Sequence, residues 1–332
     1  MSPGLKLLTL SVRIILEVIV IIIIFKLTTF GWRPSKKCDL ALTPEENLTA
    51  KNLNRITTRL AQDIGSRNYV YYINMEQAAG YIFQSFKNLG YDTDIMVYRA
   101  KNQLFKNIIA QMPRTETSEQ TLIIGAHYDS CFNPGADDNA SGIAGLIELA
   151  RLLKPQKLNC RVKFVAFANE EPPFFRTDTM GSLVYAKNAK QTGENIKAAI
   201  ILESIGYYRE ERFSQRYLPL LGPFFPNRGN FITLVGNFAS GNIVNQTYSH
   251  FKKACAFPIE KLVTFSFIPG VNFSDHWSFW QQGFPAFMIT DTAFLRNSNY
   301  HQQSDLPETL NYEKMALVVH GLKEAIIRLS NE

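Results

Sequence analysis

TLIIGAHYDSCFNPGADDNASGIAGLIELARLL, residues 121–153, is the stretch around which the rest of the sequence can be arranged. Its first four residues are apolar or β-branched, which is typical of a buried strand, and this strand leads to His127 and Asp129. A loop with proline and glycine follows, and then a helix whose apolar residues recur at helical spacing over 143–153. The stretch therefore predicts a strand–loop–helix unit in which a histidine at the strand end faces Asp138 at the helix start.

The position and chemistry of these residues suit a metal ligand site. Open α/β sheets bind ligands outside the carboxyl ends of their strands. Histidine and carboxylate groups are zinc ligands, and Asp129 could hold the second ring nitrogen of His127. The same residues also fit a simpler interpretation, in which the acidic residues only cap the helix and the histidine has no ligand. On this stretch alone, both interpretations remain open.

Length and composition indicate one large globular α/β domain. The chain has 332 residues, of which 46% are hydrophobic, and its formal net charge is +6. About 300 residues remain after an apolar N-terminal segment, enough for a sizeable core. No basic stripe is present, so we predict no nucleic acid partner. The four cysteines lie far apart without CxxC spacing, so a thiolate zinc site is not indicated.

The N-terminal segment is predicted to attach the protein to a membrane. A membrane span needs about 20 mostly apolar residues, and this segment reaches that length only if Arg13 and Glu17 are included. A cleaved signal peptide and a buried amphipathic helix are the alternatives. No small-residue cleavage pattern follows Phe25, which favours an uncleaved anchor. We therefore divide the chain into an N-terminal hydrophobic segment, a linker and a catalytic domain, at residues 1–30, 31–42 and 43–332.

Alternating strand and helix patterns predict the architecture. The sequence after residue 43 contains predicted strands at 92–98, 107–112, 121–127, 162–168, 198–202, 231–236, 262–267 and 285–290. One predicted helix begins at residue 43. The other predicted helices cover 76–89, 143–153, 181–190, 242–254 and 312–329. This order predicts a three-layer α/β/α sandwich with a mixed, largely parallel central sheet.

Further acidic and histidine side chains follow the predicted strands. Glu170 and Glu171 follow one strand, Glu203 ends the next, and His301 lies in the loop after the last. With His127 and Asp138, they place two histidines and four carboxylates at one edge of the sheet. Carboxylates held so close repel one another, and divalent cations would neutralise them. Five of these groups suit a pair of metal ions, and the sixth is left for proton transfer.

The motifs AHYDS, PGADDNASG, NEE, LESIGYY, SDHWSF and NYH occur in this order. Together they resemble the bacterial di-zinc aminopeptidases of the aminopeptidase S and aminopeptidase Y type, over about residues 43–329. The resemblance implies two Zn²⁺ ions, although it does not identify the native metal. It implies that His127 and Glu203 bind one ion, that Glu171 and His301 bind the other, and that Asp138 bridges them.

The resemblance also implies roles for residues around the metals. Glu170 corresponds to the general base, Asp129 to the partner of the metal-binding histidine, and Tyr300 to a tyrosine that stabilises the oxyanion. A cis peptide bond is implied after Asp138. Glu203 departs from the pattern, because many members carry aspartate at that position.

The resemblance implies an exopeptidase, an aminopeptidase that hydrolyses N-terminal residues from peptides. Carboxypeptidase or glutaminyl cyclase chemistry on the same scaffold is the first alternative, and a non-catalytic binding domain is the second. Basic residues flank the apolar segment on both sides, and the positive-inside rule taken literally places the domain in the cytoplasm. The family argument instead predicts an extracytoplasmic domain, membrane-anchored or secreted.

The substrate-binding residues and the role of residues 209–230 are not assigned from the sequence. Four phenylalanines in proline-containing loops could either line a side-chain pocket or belong to the core. They are Phe174, Phe175, Phe224 and Phe225.

Overall fold

The computed structural model describes residues 12, 13, 15–22, 41–111, 118–217 and 225–332. Residues 12, 13 and 15–22 are helical. Within the described ranges, no helix combines the length and the apolar character that crossing a membrane requires. Most of the apolar N-terminal segment and nearly all of the linker lie outside these ranges, so the membrane anchor stays a prediction.

Helices precede the sheet in the chain after residue 43. Helix α1, Pro44–Thr58, starts at a capping box: the Thr43 hydroxyl accepts a hydrogen bond from the Glu46 amide, and the Glu46 carboxylate accepts one from the Thr43 amide at 2.7 Å. Helix α1 continues directly into the π-helical turn Arg59–Ile64. The next helix, α2, spans Tyr72–Asn88.

Eight strands form one mixed sheet in the order β1-β2-β4-β3-β5-β8-β6-β7. They are β1 Asp92–Ala100, β2 Gln103–Gln111, β3 Thr121–His127, β4 Arg161–Phe167, β5 Ile196–Glu203, β6 Ile232–Asn237, β7 Ile259–Thr264 and β8 Ala286–Thr290. The four central strands β4, β3, β5 and β8 are parallel, while β2 pairs antiparallel with β4 and β6 pairs antiparallel with β8. The prediction of a mixed, largely parallel sheet is confirmed.

Helices cover both faces of this sheet and complete the three layers. The remaining helices are α3 Gly142–Leu153, α4 Gly181–Gln191, α5 Gly241–Ala254, α6 His276–Gln281 and α7 Tyr312–Asn331. Helices α1, α3, α5 and α7 pack together on one face, and α4 packs with α6 on the other. In β3, Leu122 and Ile124 join the first core and Ile123 joins the second, so the strand is buried on both faces.

Two strands begin at least three residues before their predicted starts, and both differences come from strand pairing. β2 begins four residues early, because Gln103 pairs with Ala100 across the tight β1–β2 connection. β7 lies three residues before its predicted position, since its parallel register with β6 starts at Ile259. The short helix α6 was not predicted, because six residues hold too few helical repeats to show a period.

Candidate metal centre

The predicted site residues meet at the carboxyl edge of the parallel strands. β3 ends at His127, the chain after β4 carries Glu170 and Glu171, and β5 ends at Glu203. His301 lies in the loop after β8. Parallel strands end at the same edge, so side chains more than 170 positions apart lie within one crevice.

One group of ligands forms around His127. Its Nε2 lies 3.3 Å from Asp138 Oδ1 and 3.3 Å from Glu203 Oε2. On the other side of the ring, Nδ1 lies 3.4 Å from Asp129 Oδ1. The Glu203 carboxylate therefore reaches the His127 ring, and the Ser274 hydroxyl donates to this carboxylate at 2.7 Å.

A second group forms around His301. Its Nε2 lies 3.1 Å from Asp138 Oδ2 and 3.3 Å from Glu171 Oε2. Asp138 therefore presents one oxygen to each group, as a bridging carboxylate does. The thiol of Cys131 lies in this group as well, with its ligand atom within 4.8 Å of those of Glu171 and His301. The sequence analysis missed Cys131, because a cysteine without a regular partner spacing gives no metal signal.

The donor atoms fit metal ions. Both ring nitrogens of His127, Nε2 of His301 and Oε1 of Glu171 are buried and have no hydrogen-bond partner among the described residues. Two ligands held about 2.1 Å from a tetrahedral zinc ion lie roughly 3.4 Å apart, which agrees with the separations within each group. Unpaired buried polar atoms are costly, and a cation in each group would satisfy them.

The electrostatics of the cluster also call for positive charge. Burial raises the pKa of Glu170 well above its ordinary value, and the charges of Glu171 and Glu203 raise it further. Burial and the charge of Asp138 raise the pKa of Glu171 to about 7. For Asp138 itself, burial would raise the pKa, but the adjacent imidazoles of His127 and His301 outweigh it and hold the pKa below the ordinary value. These carboxyl groups compete for the two imidazoles, and divalent cations would relieve that competition.

Backbone amides position the metal-binding segments. Asp129 accepts hydrogen bonds from the amides of Glu170 at 3.1 Å and Glu171 at 2.9 Å, so one carboxylate orients both the histidine and the two glutamates. Asp305 accepts from the amides of Asp137 at 3.0 Å and Asp138 at 3.2 Å. The peptide bond after Asp138 is cis, as the resemblance implies.

Glu170 and Tyr300 lie beside the two ligand groups but belong to neither of them. Glu170 Oε2 is 4.0 Å from His127 Nε2. The Tyr300 ring stacks on the His301 ring, with centroids 3.9 Å apart and an interplanar angle of 15°. Both positions suit residues that act on a substrate held at the crevice.

Arg67 holds the backbone around the candidate metal centre through several hydrogen bonds, and the sequence did not indicate this role. Its side chain is fully buried and donates to the carbonyls of Leu60, Gly65, Tyr128, Pro134 and Gly135. Burial lowers its pKa to about 10, so the guanidinium remains charged at neutral pH. Arg67 thereby joins the turn after α1 to the loop before Asp138, an interaction that leaves no local pattern in the sequence.

The loop phenylalanines divide between the two interpretations. Phe174 belongs to the core, and Phe175 packs edge-on against Phe273 at 6.1 Å. Phe225 lines a large cavity beside the metal centre, while Phe224 lies outside the described residues. Asp275 and His276 are buried outside the two ligand groups, consistent with the predicted structural role.

Sequence comparison matches the family model of peptidase family M28 to residues 107–325. Uncharacterized protein YfbL of Escherichia coli is 40% identical over 293 residues, which cover 85% of this chain and 89% of that protein. A protein of Arthroderma otae described as a probable leucine aminopeptidase is 27% identical, over 81% of this chain and 69% of its own.

Structure comparison finds the same fold in a zinc aminopeptidase from Bacillus subtilis, BSAP. The TM-score is 0.68 at 15% identity, over 84% of this chain and 95% of BSAP. A glutaminyl cyclase from Fimbriiglobus ruber has a TM-score of 0.62 at 18% identity, over 89% of this chain and 99% of its own. At these identities the likeness concerns the fold alone.

Proposed function

Since the chain belongs to peptidase family M28, we propose that it is a zinc-dependent aminopeptidase that releases N-terminal residues from peptides. The observation that carries this proposal is the bridging position of Asp138, 3.3 Å from His127 and 3.1 Å from His301. His127 and Glu203 would hold one ion, and Glu171 and His301 the other. Cys131 lies close enough to Glu171 and His301 for its thiol to be a further ligand of the second ion.

The roles of the protein groups follow from their positions. Bound zinc would polarise the scissile carbonyl and lower the pKa of water. The Glu170 carboxylate accepts the proton of the attacking water and then donates it to the leaving amine. The Tyr300 hydroxyl donates a hydrogen bond to the oxyanion of the tetrahedral intermediate. Asp129 keeps the His127 ring in one orientation throughout.

We predict that the purified full-length protein hydrolyses aminoacyl 4-nitroanilides and does not hydrolyse their N-acetyl derivatives, because an aminopeptidase recognises the free amine. Elemental analysis is expected to give two metal ions per chain. Removal of the metals with a chelator should abolish hydrolysis, and restoring zinc, cobalt or manganese separately identifies the native metal.

Three other outcomes would overturn the assignment. Hydrolysis that depends on a free C-terminus would indicate a carboxypeptidase. Conversion of N-terminal glutamine to pyroglutamate without peptide cleavage would indicate a glutaminyl cyclase, a candidate that the shared fold favours. Metal binding with no turnover of any substrate would indicate a binding domain.

We also propose that residues 1–30 attach the catalytic domain, residues 43–332, to a membrane, with the domain on the extracytoplasmic side. Apolar side chains in the described part of this segment support the proposal, since Ile15 is 58% exposed and Ile21 63% exposed. The full-length protein is expected to remain in the membrane fraction through an alkaline wash and to be released by detergent. Recovery in the soluble fraction without detergent would contradict attachment and favour a secreted protein.

A further inference from the structure

A large cavity opens directly beside the candidate metal centre. It encloses about 1180 Å³ including its open mouth, and both Glu203 and Tyr300 belong to its wall. Most of the remaining wall is apolar, with Val235, Leu262 and Met288 among its aliphatic residues. A group bound at the metal centre can therefore extend into this cavity.

Four paired residues form the floor of the cavity. Across the sheet, Glu203 pairs with Thr290, Thr290 with Thr233, and Thr233 with Glu260. Residues paired in this way project from the same face of a sheet. Strands lie about 4.8 Å apart, so this row extends roughly 14 Å from the metal ligand Glu203 to Glu260.

Polar groups without partners mark the far end of this floor. Oε2 of Glu260 and the hydroxyl of Thr233 are buried and have no hydrogen-bond partner among the described residues. Both residues are 8% exposed, and both line the cavity. Buried polar groups are normally paired, so two neighbouring exceptions at one end of an apolar cavity indicate a ligand that pairs with them.

Among the described residues, no cation lies within ion-pair distance of the Glu260 carboxylate. The neighbouring Lys261 directs its ammonium group to the Asn245 side chain on α5. Burial raises the pKa of Glu260 to about 8. The carboxyl group thus lies in an apolar setting that a hydrogen-bond donor would improve.

Aromatic residues from three loops also line the cavity. Phe294 lies between Tyr300 and Phe273, with ring centroids 6.0 Å and 6.2 Å away. The segment before β6 contributes Tyr217 and Phe225, whose rings lie 5.1 Å apart. These two described residues of 209–230, a stretch to which the sequence assigned no role, therefore form part of the cavity wall.

We propose that the cavity binds the side chain of the substrate's N-terminal residue, and that Glu260 and Thr233 select side chains with a hydrogen-bond donor at their far end. This inference rests on the proposed aminopeptidase function. The apolar wall holds a long stem, and the two polar groups bind its tip. Tyrosine supplies such a donor as a neutral phenol, and lysine supplies one as a cation.

Paired substrates test the proposal on the full-length protein. We expect kcat/KM to be about tenfold or more higher for the donor in at least one pair, tyrosyl against phenylalanyl or lysyl against norleucyl 4-nitroanilide, because an unpaired polar site rejects the analogue that lacks the donor. In Glu260→Leu, the ratio should fall to about one while activity on phenylalanyl and norleucyl substrates is retained. That retained activity shows that the variant is folded.

Two further variants make the test robust. Glu260→Gln keeps an acceptor without charge, so it should preserve a tyrosine preference and remove a lysine preference. Thr233→Val has nearly the same shape as the parent residue and should lower the ratio even if Glu260→Leu fails to fold. Ratios near one for both pairs in the parent protein, or a ratio that Glu260→Leu leaves unchanged, would overturn the proposal.

A binding measurement separates this proposal from the aminopeptidase assignment. If none of the four anilides is hydrolysed, the proposed function fails, and calorimetry then tests the cavity alone. Tyramine is compared with phenethylamine, and 1,5-diaminopentane with pentylamine. Tighter binding of the donor in one pair, lost in Glu260→Leu, supports the selective site, whereas equal affinities in both pairs overturn it.

Discussion

Glu170→Gln is expected to lower kcat by about 10²–10⁴-fold, the usual contribution of a positioned general acid–base group. The amide has nearly the same shape as the carboxylate but cannot accept a proton from the attacking water. Glu170 is not part of either ligand group, and its carboxylate lies 4.0 Å from His127. Metal content and KM are therefore expected to change little, and both are measured beside kcat.

The matched control for this variant is Glu119→Gln, which makes the same chemical change at an exposed position. It should retain full activity. A Glu170→Gln protein that keeps wild-type kcat would remove Glu170 from its assigned role. A variant that loses its metals together with its activity would instead make Glu170 a ligand.

Asp138→Asn is expected to have the second large effect, because Asp138 faces both ligand groups. Its two oxygens lie 3.3 Å and 3.1 Å from the Nε2 atoms of His127 and His301. An amide offers a single, uncharged acceptor, so at least one ion loses its bridge. Metal content should fall from two ions toward zero, and kcat/KM by more than about 10³-fold, since electrostatic stabilisation of the transition state alone contributes about 10²–10³.

Asp137→Asn is the control for the bridging aspartate. Asp137 is the preceding residue and is also buried, but its carboxyl group accepts from the Gly206 amide at 2.9 Å and the Asn297 side chain at 2.8 Å. Burial raises the pKa of Asp137 to about 6, and the residue belongs to neither ligand group. This variant should retain both ions. Two bound metals in Asp138→Asn would show that the bridge is not needed.

The sequence predicted which of these side chains lie together, for a physical reason. Each ligand follows a buried strand or begins a helix, and these elements give clear apolar patterns. When β3, β4 and β5 are parallel, their carboxyl ends lie at the same edge of the sheet. This arrangement brings His127, Glu171 and Glu203 close together. The resemblance then added the bridging role of Asp138.

The supports and the cavity could not be predicted in the same way. Asp305 and Arg67 act on backbone groups far along the chain, and such contacts impose no spacing on the sequence. The row that ends at Glu260 depends on β6 pairing antiparallel with β8. The apolar pattern of a strand does not indicate whether it pairs parallel or antiparallel with its neighbour. The sequence therefore offers no sign that Glu260 belongs to this row.

The carbonyl groups held by Arg67 bear on how the chain can vary in length. The family match starts at residue 107, yet the Leu60 and Gly65 carbonyls share a guanidinium with Tyr128, Pro134 and Gly135. A shortened chain that began at the match would keep every ligand and lose the donor for three carbonyls in the ligand loops, at a cost of about 1–3 kcal/mol for each group left buried. Natural insertions and deletions are therefore expected to accumulate ahead of the first helix, while the stretch from that helix to Arg67 is expected to be inherited together with the candidate metal ligands.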